Sequence, residues 1–181
     1  KVDGSGVSVG AMATHASVAA SADVRKAIPA LAELAGGIGD AMVRNMGTIG
    51  GSIANADPAA CYPAALIGLG ATVHTNQRTI AADAFFTGLY ETALKLGELI
   101  TAVQFPVAQK AAYMKYKQPA SRFALVGVLV SQGSGGVRVA VTGAGAARVV
   151  PVLGSPALVA GPRRGCARTP GLRRACGARH R

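Results

Sequence analysis

The segment from Arg44 to Pro63 contains the residues whose types and spacing are best suited to binding chemistry. It places the pair Gly50-Gly51 between two hydroxyl residues, Thr48 and Ser52. Glycine lets a backbone approach a ligand closely, and consecutive N–H groups in a turn can surround an anion. The segment therefore predicts a glycine-rich loop that binds an anionic ligand, whereas a Gly-Gly pair taken alone is more typical of a tight turn between core elements.

The residues after this loop predict a helix followed by a series of strands. Asp57 is expected to cap the helix and Pro58 to be its first residue, and the apolar run 64–69 continues it. Turn residues around Asn76-Gln77 and around positions 133–136 predict two hairpins. The predicted strands are 7–13, 71–75, 78–81, 99–105, 111–117, 125–131 and 137–141.

Two helices are predicted before the loop. Thr14 is expected to cap a short helix over residues 15–20. A longer helix is expected from residues 21–23 to the glycines at 36 and 37, and Pro29 marks either a kink or a first turn in it. Helices and hairpins in one chain predict an α+β fold.

The string Arg-Asn-x-Gly-Thr-Ile-Gly-Gly-Ser followed by Ala-Asp-Pro-Ala-Ala, within residues 44–60, carries a family resemblance. It resembles the second flavin-binding segment of the FAD-binding medium subunits of molybdenum hydroxylases. That family includes the flavin subunits of aerobic carbon monoxide dehydrogenase and bacterial xanthine dehydrogenase. The resemblance extends over about residues 6–146.

The resemblance implies a domain plan. Residues 1–106 would be a partial FAD-binding domain of the vanillyl-alcohol oxidase and para-cresol methylhydroxylase type. Residues 107–146 would begin a C-terminal domain that contains a β-hairpin. The family's first glycine-rich loop, Ala-Gly-Gly-x-Ser/Thr, would precede Lys1, so we expect the N-terminal subdomain to be missing from this chain.

The resemblance also implies which positions contact FAD. The pyrophosphate would lie on Thr48, Ile49, Gly50, Gly51 and Ser52. No catalytic base or nucleophile is expected in the chain. The other implied contact positions are Ile38, Cys61, Leu99, Ile100 and Lys117.

These other positions have different implied roles. Ile38 would line the flavin region, and Leu99 and Ile100 would lie near the flavin ring, although all three also suit ordinary core positions. Lys117 would stabilise negative charge on the reduced ring, or it is simply a solvated lysine on a strand. Cys61 stands where many members carry an acid that accepts a hydrogen bond from the cofactor.

The function implied by the resemblance is electron transfer in an oxidoreductase complex. Electrons would pass from iron–sulfur clusters in a small subunit through FAD to an external acceptor. The large subunit would hold the molybdenum cofactor and the organic substrate, so both subunits are expected partners. The alternative is a non-catalytic, truncated or frameshifted fragment without stable FAD binding.

Composition separates the C-terminal residues from the rest of the chain. The formal net charge is +11, of which residues 147–181 contribute +8 through eight arginines. This arginine-, glycine- and proline-rich tail is predicted to be disordered. It could bind nucleic acid or an acidic surface through charge alone, but no aromatic residues are interleaved with the arginines, so no specific nucleic-acid partner is expected.

The remaining composition predicts a cytoplasmic protein. The apolar runs are too short or too glycine-interrupted to span a bilayer, and no signal peptide opens the chain. Three scattered cysteines favour neither a disulfide framework nor a zinc site. We further expect Ile38, Ile49 and Ile100 to be more exposed than core residues, because they would face an open flavin cleft.

Overall fold

The computed structural model describes residues 1–4, residues 6–143 and the backbone of residues 152–154. The helices in these ranges are α1 (His15–Ala20), α2 (Ala22–Ala27), α3 (Pro29–Gly36), α4 (Ala41–Met46), α5 (Ile49–Asn55), α6 (Cys61–Leu69) and α7 (Ala82–Phe85). The strands are β1 (Val2–Asp3), β2 (Gly6–Gly10), β3 (Thr72–Thr75), β4 (Thr79–Ala81), β5 (Phe86–Gly88), β6 (Glu91–Thr92), β7 (Ile100–Phe105), β8 (Lys110–Lys117), β9 (Ala124–Gly133), β10 (Gly136–Thr142) and β11 (Val152–Gly154).

Helix α1 begins at its predicted capping residue, and α4 was not predicted. The Thr14 side chain accepts a hydrogen bond from the backbone N–H of Ser17 at the start of α1, as predicted. The longer predicted helix is divided into α2 and α3. Ile28 has an extended φ of −140°, and Pro29 is the first residue of α3, so the proline marks a first turn and not a kink.

Two predictions around the glycine segment are wrong. Residues 49–55 form helix α5, with Thr48 as its cap, where we predicted a loop. The next helix does not start at Asp57-Pro58. The Asp57 carboxylate instead accepts the backbone N–H of Ala59 at 2.9 Å, and α6 begins at Cys61. This local turn satisfies the Asp57 side chain before the helix begins.

The strands form two main antiparallel sheets. The first has the order β1-β2-β7-β3-β4, and the predicted hairpin around Asn76-Gln77 is its β3–β4 unit. The second has the order β11-β10-β9-β8, and the predicted hairpin around residues 133–136 is its β9–β10 unit. A separate two-stranded pair, β5–β6, completes the described strands.

Helix α6 lies at the centre of the core. All nine of its residues are buried, because it packs on β9 and β10 and also contacts α3 and α5. A Cβ added to Gly68 would lie 2.5 Å from the Leu129 side chain, so glycine permits the close approach of helix and sheet. The Ser131 hydroxyl donates to the Gly68 carbonyl, and Arg138 Nε donates to the Ile67 carbonyl at 2.9 Å.

The predicted tail falls almost entirely outside the described residues. The exception is β11, whose backbone pairs antiparallel with β10 through Val152↔Val139 and Gly154↔Val137. These three residues form a strand, and the prediction of disorder for the rest of the tail falls outside the described residues. None of the helices in the described ranges is long and apolar enough to cross a membrane.

Candidate functional site

A cleft of about 170 Å³ opens where α1, α4, α5, the start of α6 and the second sheet meet. It combines apolar side chains with a hydroxyl, an amide, a carboxylate, an imidazole and an ammonium group. The lining residues are His15, Ile38, Gly39, Val43, Ser52, Asn55, Asp57, Ala60, Cys61, Lys115, Phe123 and Ala124. Among the predicted contact residues, the cleft therefore brings together Ile38, Ser52 and Cys61.

The wall formed by Ile38 and Gly39 is held by the arginine of the motif. Arg44 Nη1 donates to the Ile38 carbonyl at 2.9 Å and to the Gly39 carbonyl at 3.0 Å. Gly39 has a positive φ of 46°, where glycine avoids strain. The sequence pattern identified Arg44 as part of the motif. Its role in shaping the cleft wall could not be predicted, because it depends on the turn at Gly39.

The backbone N–H groups at the start of α5 are already hydrogen-bonded within the protein. Ile49 and Gly50 donate to the carbonyls of Ala13 and Ala11, at 3.0 and 2.8 Å. Gly51 donates to Thr48 Oγ1 at 3.1 Å and Ser52 to the Thr48 carbonyl at 3.0 Å. These N–H groups therefore have partners within the protein, although Gly51 is exposed. Contact of residues 48–52 with a pyrophosphate stays a prediction.

The glycine at position 50 is required by packing. Its added Cβ would lie 2.7 Å from the Ala11 Cβ and 2.8 Å from the Ala11 carbonyl oxygen. This close contact fixes the first turn of α5 against the end of β2. Ile49 is 0% exposed, which contradicts the prediction that it faces an open cleft. Ile38 and Ile100 are half-buried and pack against the core.

Lys115 is the cation of the cleft, and the sequence reasoning missed it. Its Nζ donates to the Gly37 carbonyl at 2.6 Å and lies 3.5 Å from Cys61 Sγ. Residues 111, 113 and 115 of β8 alternate toward the core. The pairing register shifts between Tyr116 and Lys117, so Lys117 is exposed and does not line the cleft. The sequence signal that could have identified Lys115 is its position, because it lies on the same side of the strand as the inward-facing residues 111 and 113.

Three buried polar atoms near Cys61 lack a hydrogen-bond partner within the described part of the chain. They are His15 Nδ1, Tyr62 Oη and Tyr113 Oη. The His15 and Tyr62 rings lie 5.3 Å apart. Burial lowers the pKa of His15, which keeps the imidazole neutral near pH 7. Burial also raises the pKa values of Tyr62 and Tyr113, and the nearby Cys61 side chain raises both further by a smaller amount. The His15 side chain is only 5% exposed.

Leu99 and Ile100 lie in a different part of the molecule from the cleft. The N–H of Leu99 donates to the Asn76 side chain at 2.9 Å, next to the β3–β4 turn. Its side chain is 67% exposed, and Ile100 opens strand β7. Helix α5, which contributes Ser52 and Asn55 to the cleft, also contacts β7.

The cleft fits one part of a flavin dinucleotide and not the whole molecule. Its volume of about 170 Å³ is below the roughly 300 Å³ that is usual for a pocket enclosing a drug-sized ligand. Apolar walls at Ile38, Val43 and Phe123 suit a ring. Lys115 and the Ser52 hydroxyl suit the polar edge of such a ring. No group of His, Cys, Asp and Glu side chains suited to a metal ion occurs within residues 1–4 and 6–143.

Comparisons with known proteins agree with a flavin-binding architecture. The family described as the FAD binding domain in molybdopterin dehydrogenase matches residues 1–108. The glyceraldehyde dehydrogenase medium chain of Sulfolobus acidocaldarius is 37% identical over 132 residues, which cover 70% of this chain and 47% of that protein. The carbon monoxide dehydrogenase medium chain of Hydrogenophaga pseudoflava is 35% identical over 77% of this chain and 53% of that protein.

Solved structures extend the likeness to the second sheet. Carbon monoxide dehydrogenase from Hydrogenophaga pseudoflava, in a form that lacks the Mo-pyranopterin moiety, matches with a TM-score of 0.76 and 34% identity, covering 83% of this chain and 56% of that one. Quinoline 2-oxidoreductase from Pseudomonas putida matches with a TM-score of 0.74 and 27% identity, over 86% of this chain and 61% of that one. The chain thus spans about half the length of the curated relatives it matches. It belongs to the family of FAD-binding domains found in molybdopterin dehydrogenases, whose members here are medium subunits of oxidoreductase complexes.

Proposed function

We propose that the chain binds FAD and serves as the electron-transfer part of a molybdenum hydroxylase medium subunit, with a fold of the vanillyl-alcohol oxidase type. The observation that carries this proposal is the cleft in which Lys115 lies beside Cys61, Ser52 and Ile38. When bound, FAD would accept electrons and pass them to a further acceptor. The family match to residues 1–108 supports the identity of the cofactor.

The residues of the cleft would hold the ring portion of FAD. Ile38 and Phe123 would pack on its faces, and the Ser52 hydroxyl would donate to its polar edge. The Lys115 ammonium would stabilise negative charge on the reduced ring, the role that the sequence suggested for Lys117. Because the first-turn N–H groups of α5 are bonded internally, Thr48, Ile49 and Gly50 would position the helix, and exposed Gly51 would allow a phosphate to approach.

Other predicted contacts stay predictions. Leu99, Ile100 and Lys117 would belong to a second part of the dinucleotide site, outside the cleft. The proposed partners are an iron–sulfur small subunit and a large subunit with the molybdenum cofactor. The relatives are named medium chains, which supports subunits of other sizes but does not give their cofactors. The proposed compartment is the cytoplasm.

Equilibrium titration of the full 181-residue chain with FAD tests the proposal. Flavin fluorescence is the readout, because the flavin ring is excited by visible light, which protein side chains do not absorb. We expect saturable binding, and we expect riboflavin to compete for it because the cleft accepts the ring. ADP-ribose should compete less well. No saturable FAD binding by a chain whose circular dichroism shows it folded would contradict the proposal and favour the fragment without stable FAD binding.

A further inference from the structure

The imidazole of His15 lies between two segments that contribute to the cleft. A Cβ added to Gly47 would lie 2.5 Å from His15 Nε2 and 2.9 Å from His15 Cδ2, so one edge of the ring touches the Gly47 backbone. The ring also packs on Tyr62, with the two ring centroids 5.3 Å apart. Gly47 leads into α5, which carries Ser52, and Tyr62 lies in the first turn of α6, which begins at Cys61.

Backbone conformation does not require the glycine at position 47. Its φ of −69° and ψ of 140° lie in the extended region that any residue adopts. Its N–H donates to the Val43 carbonyl at 2.8 Å and its carbonyl accepts the His15 N–H at 3.0 Å, and other residue types could make both bonds. A side chain at this position would instead meet the His15 ring at 2.5 Å and the Val43 carbonyl oxygen at 2.9 Å. The glycine is therefore required by close packing, and the His15 ring is the nearer contact.

The neighbours of His15 in the chain hold the start of α5 through their backbone. Thr14 forms an antiparallel bridge with Thr48, the cap of α5. The N–H of Ile49 donates to the carbonyl of the residue before Thr14, at 3.0 Å. These bonds join the start of α1 to the start of α5, whereas the His15 ring also reaches Tyr62 in α6. The side chain therefore relates the position of α5 to that of α6.

Core packing alone does not explain a histidine at this position. The His15 side chain is buried, and its Nδ1 has no hydrogen-bond partner in the described part of the chain. A buried polar atom without a partner costs stability, and an apolar side chain would avoid that cost. The flat edge of the imidazole, in contrast, fits directly against the Gly47 backbone. The residue type therefore suits the geometry of the contact better than it suits the stability of the core.

We propose that His15 is a positioning residue of the flavin cleft, whose ring, held between Gly47 and Tyr62, sets the spacing between the starts of α5 and α6. That spacing places Ser52 and Cys61 on one cleft, which His15 also lines. This role rests on the proposed binding of FAD. Because the cleft is only about 170 Å³, a small change in the spacing of its walls should change how well the flavin ring fits. The ring of His15 acts through the two segments that it separates and is assigned no hydrogen bond to the cofactor.

A matched pair of substitutions tests the contact between His15 and Gly47. Glutamine is long enough to place its amide where His15 Nε2 lies, whereas asparagine reaches only as far as Nδ1. Both replacements are neutral and polar, so they differ in reach and not in charge. The FAD affinity of the full chain is measured by flavin fluorescence. We expect His15→Asn to weaken FAD binding by at least about fivefold and His15→Gln to recover the wild-type affinity to within about twofold.

A second histidine provides the control for these variants. His74 lies on β3, outside the residues that line the cleft, and its Nε2 lies 3.1 Å from Gln104 Oε1. We expect His74→Asn to leave the FAD affinity within about twofold. Circular dichroism confirms that each variant is folded, and His15→Ser replaces His15→Asn if that variant unfolds. At saturating FAD, His15→Asn should also change the visible absorption band of the bound flavin, which a loss of stability alone would leave unchanged.

A double substitution tests whether His15 acts through Gly47. Gly47→Ala places a Cβ against the His15 ring and should weaken FAD binding by about tenfold. The shorter side chain of His15→Asn leaves room for this Cβ, so adding Gly47→Ala to that variant should cost at most about threefold more. The full tenfold loss in both backgrounds, or equal affinities of His15→Asn and His15→Gln, would overturn the inference alone. Absence of FAD binding by the folded wild-type chain would overturn the proposed function and the inference with it.

Discussion

Two buried polar clusters in this protein differ in how completely their hydrogen bonds are made. Around Glu98, every carboxylate oxygen is bonded: Arg78 donates to both oxygens at 2.9 and 3.1 Å, and Thr75 and the Lys95 N–H each donate once. Around Cys61, three buried polar atoms have no partner among the described residues.

The difference separates a structural cluster from a candidate binding region. The Glu98 cluster joins the β3–β4 hairpin to the residues before β7, and its polar groups are satisfied by the protein itself. Unsatisfied buried polar groups are rare in folded proteins and call for a water, an ion or a ligand. Among the described residues, the Cys61 region is therefore the part of the fold whose buried polar groups are not satisfied by the protein itself.

The largest effect is expected at Gly50, which packs against Ala11 next to the end of β2. Gly50→Val would place a Cβ within 2.8 Å of Ala11 and force α5 away from β2. We expect a loss of about 1–3 kcal/mol in the free energy of unfolding, measured by urea denaturation. Gly51→Ala is the matched control, because its Cβ would meet only Thr48 Oγ1, at 3.0 Å. Equal losses in the two variants would contradict this account of the packing.

A second prediction concerns the Glu98 cluster, in which every carboxylate oxygen is hydrogen-bonded. Glu98→Gln should lower the melting temperature, because it removes the charge that Arg78 neutralises and replaces one acceptor by a donor. The Arg78 hydrogen bond, with help from the Lys95 N–H, lowers the pKa of Glu98 to about 2. A lowered carboxyl pKa stabilises the fold above the unfolded value of 4.5, and this stabilisation is lost as the pH falls from there toward 2.

Thermal melts across this pH range measure the effect. The difference in melting temperature between the wild type and Glu98→Gln should be largest above pH 5 and should shrink below pH 4. Glu91→Gln, at an exposed position nearby, serves as the control. A difference that does not change with pH would show that the Glu98 carboxylate is not the stabilising group.

The smallest change in stability is expected at Tyr62, and there the substitution should stabilise the fold. Tyr62→Phe removes a buried hydroxyl without a partner and keeps the ring that packs on His15. We expect the apo chain to become more stable by up to about 1 kcal/mol, since no hydrogen bond is lost. Urea denaturation measures this change. A clear loss of stability would show that the hydroxyl is satisfied in solution, and the contrast between the two clusters would fail.

Sequence reasoning predicted the elements that local chemistry determines. The Thr14 cap, the break at Pro29 and the hairpin at Asn76-Gln77 depend on neighbouring residues, and each was found as predicted or as one of two stated options. Helix α5 was missed because Gly50-Gly51 has low helix propensity. Hydrogen bonds from its first turn to Ala11 and Ala13 overcome that preference, and these contacts are distant in sequence.

The candidate site was also predicted only in part, because some of its geometry depends on contacts that are distant in sequence. Ile38, Ser52 and Cys61 were predicted from the resemblance and line the cleft together. Lys117 was predicted from the resemblance alone, and Lys115, which would share its face in a regular strand, was missed. The register shift at Tyr116 places only Lys115 in the cleft. A bulge of this kind follows from pairing with β9 and leaves no clear mark in the sequence of β8.

The two lysines of β8 provide the most direct test of the central claim, that the cleft around Cys61 binds the flavin ring. FAD affinity is measured by flavin fluorescence for the wild-type chain, for Lys115→Met and for Lys117→Met. We predict that Lys115→Met weakens binding by about tenfold, as expected for the loss of a charged contact, and that Lys117→Met changes it by less than about twofold. Equal loss in both variants, or a larger loss in Lys117→Met, would contradict the assignment of the cleft.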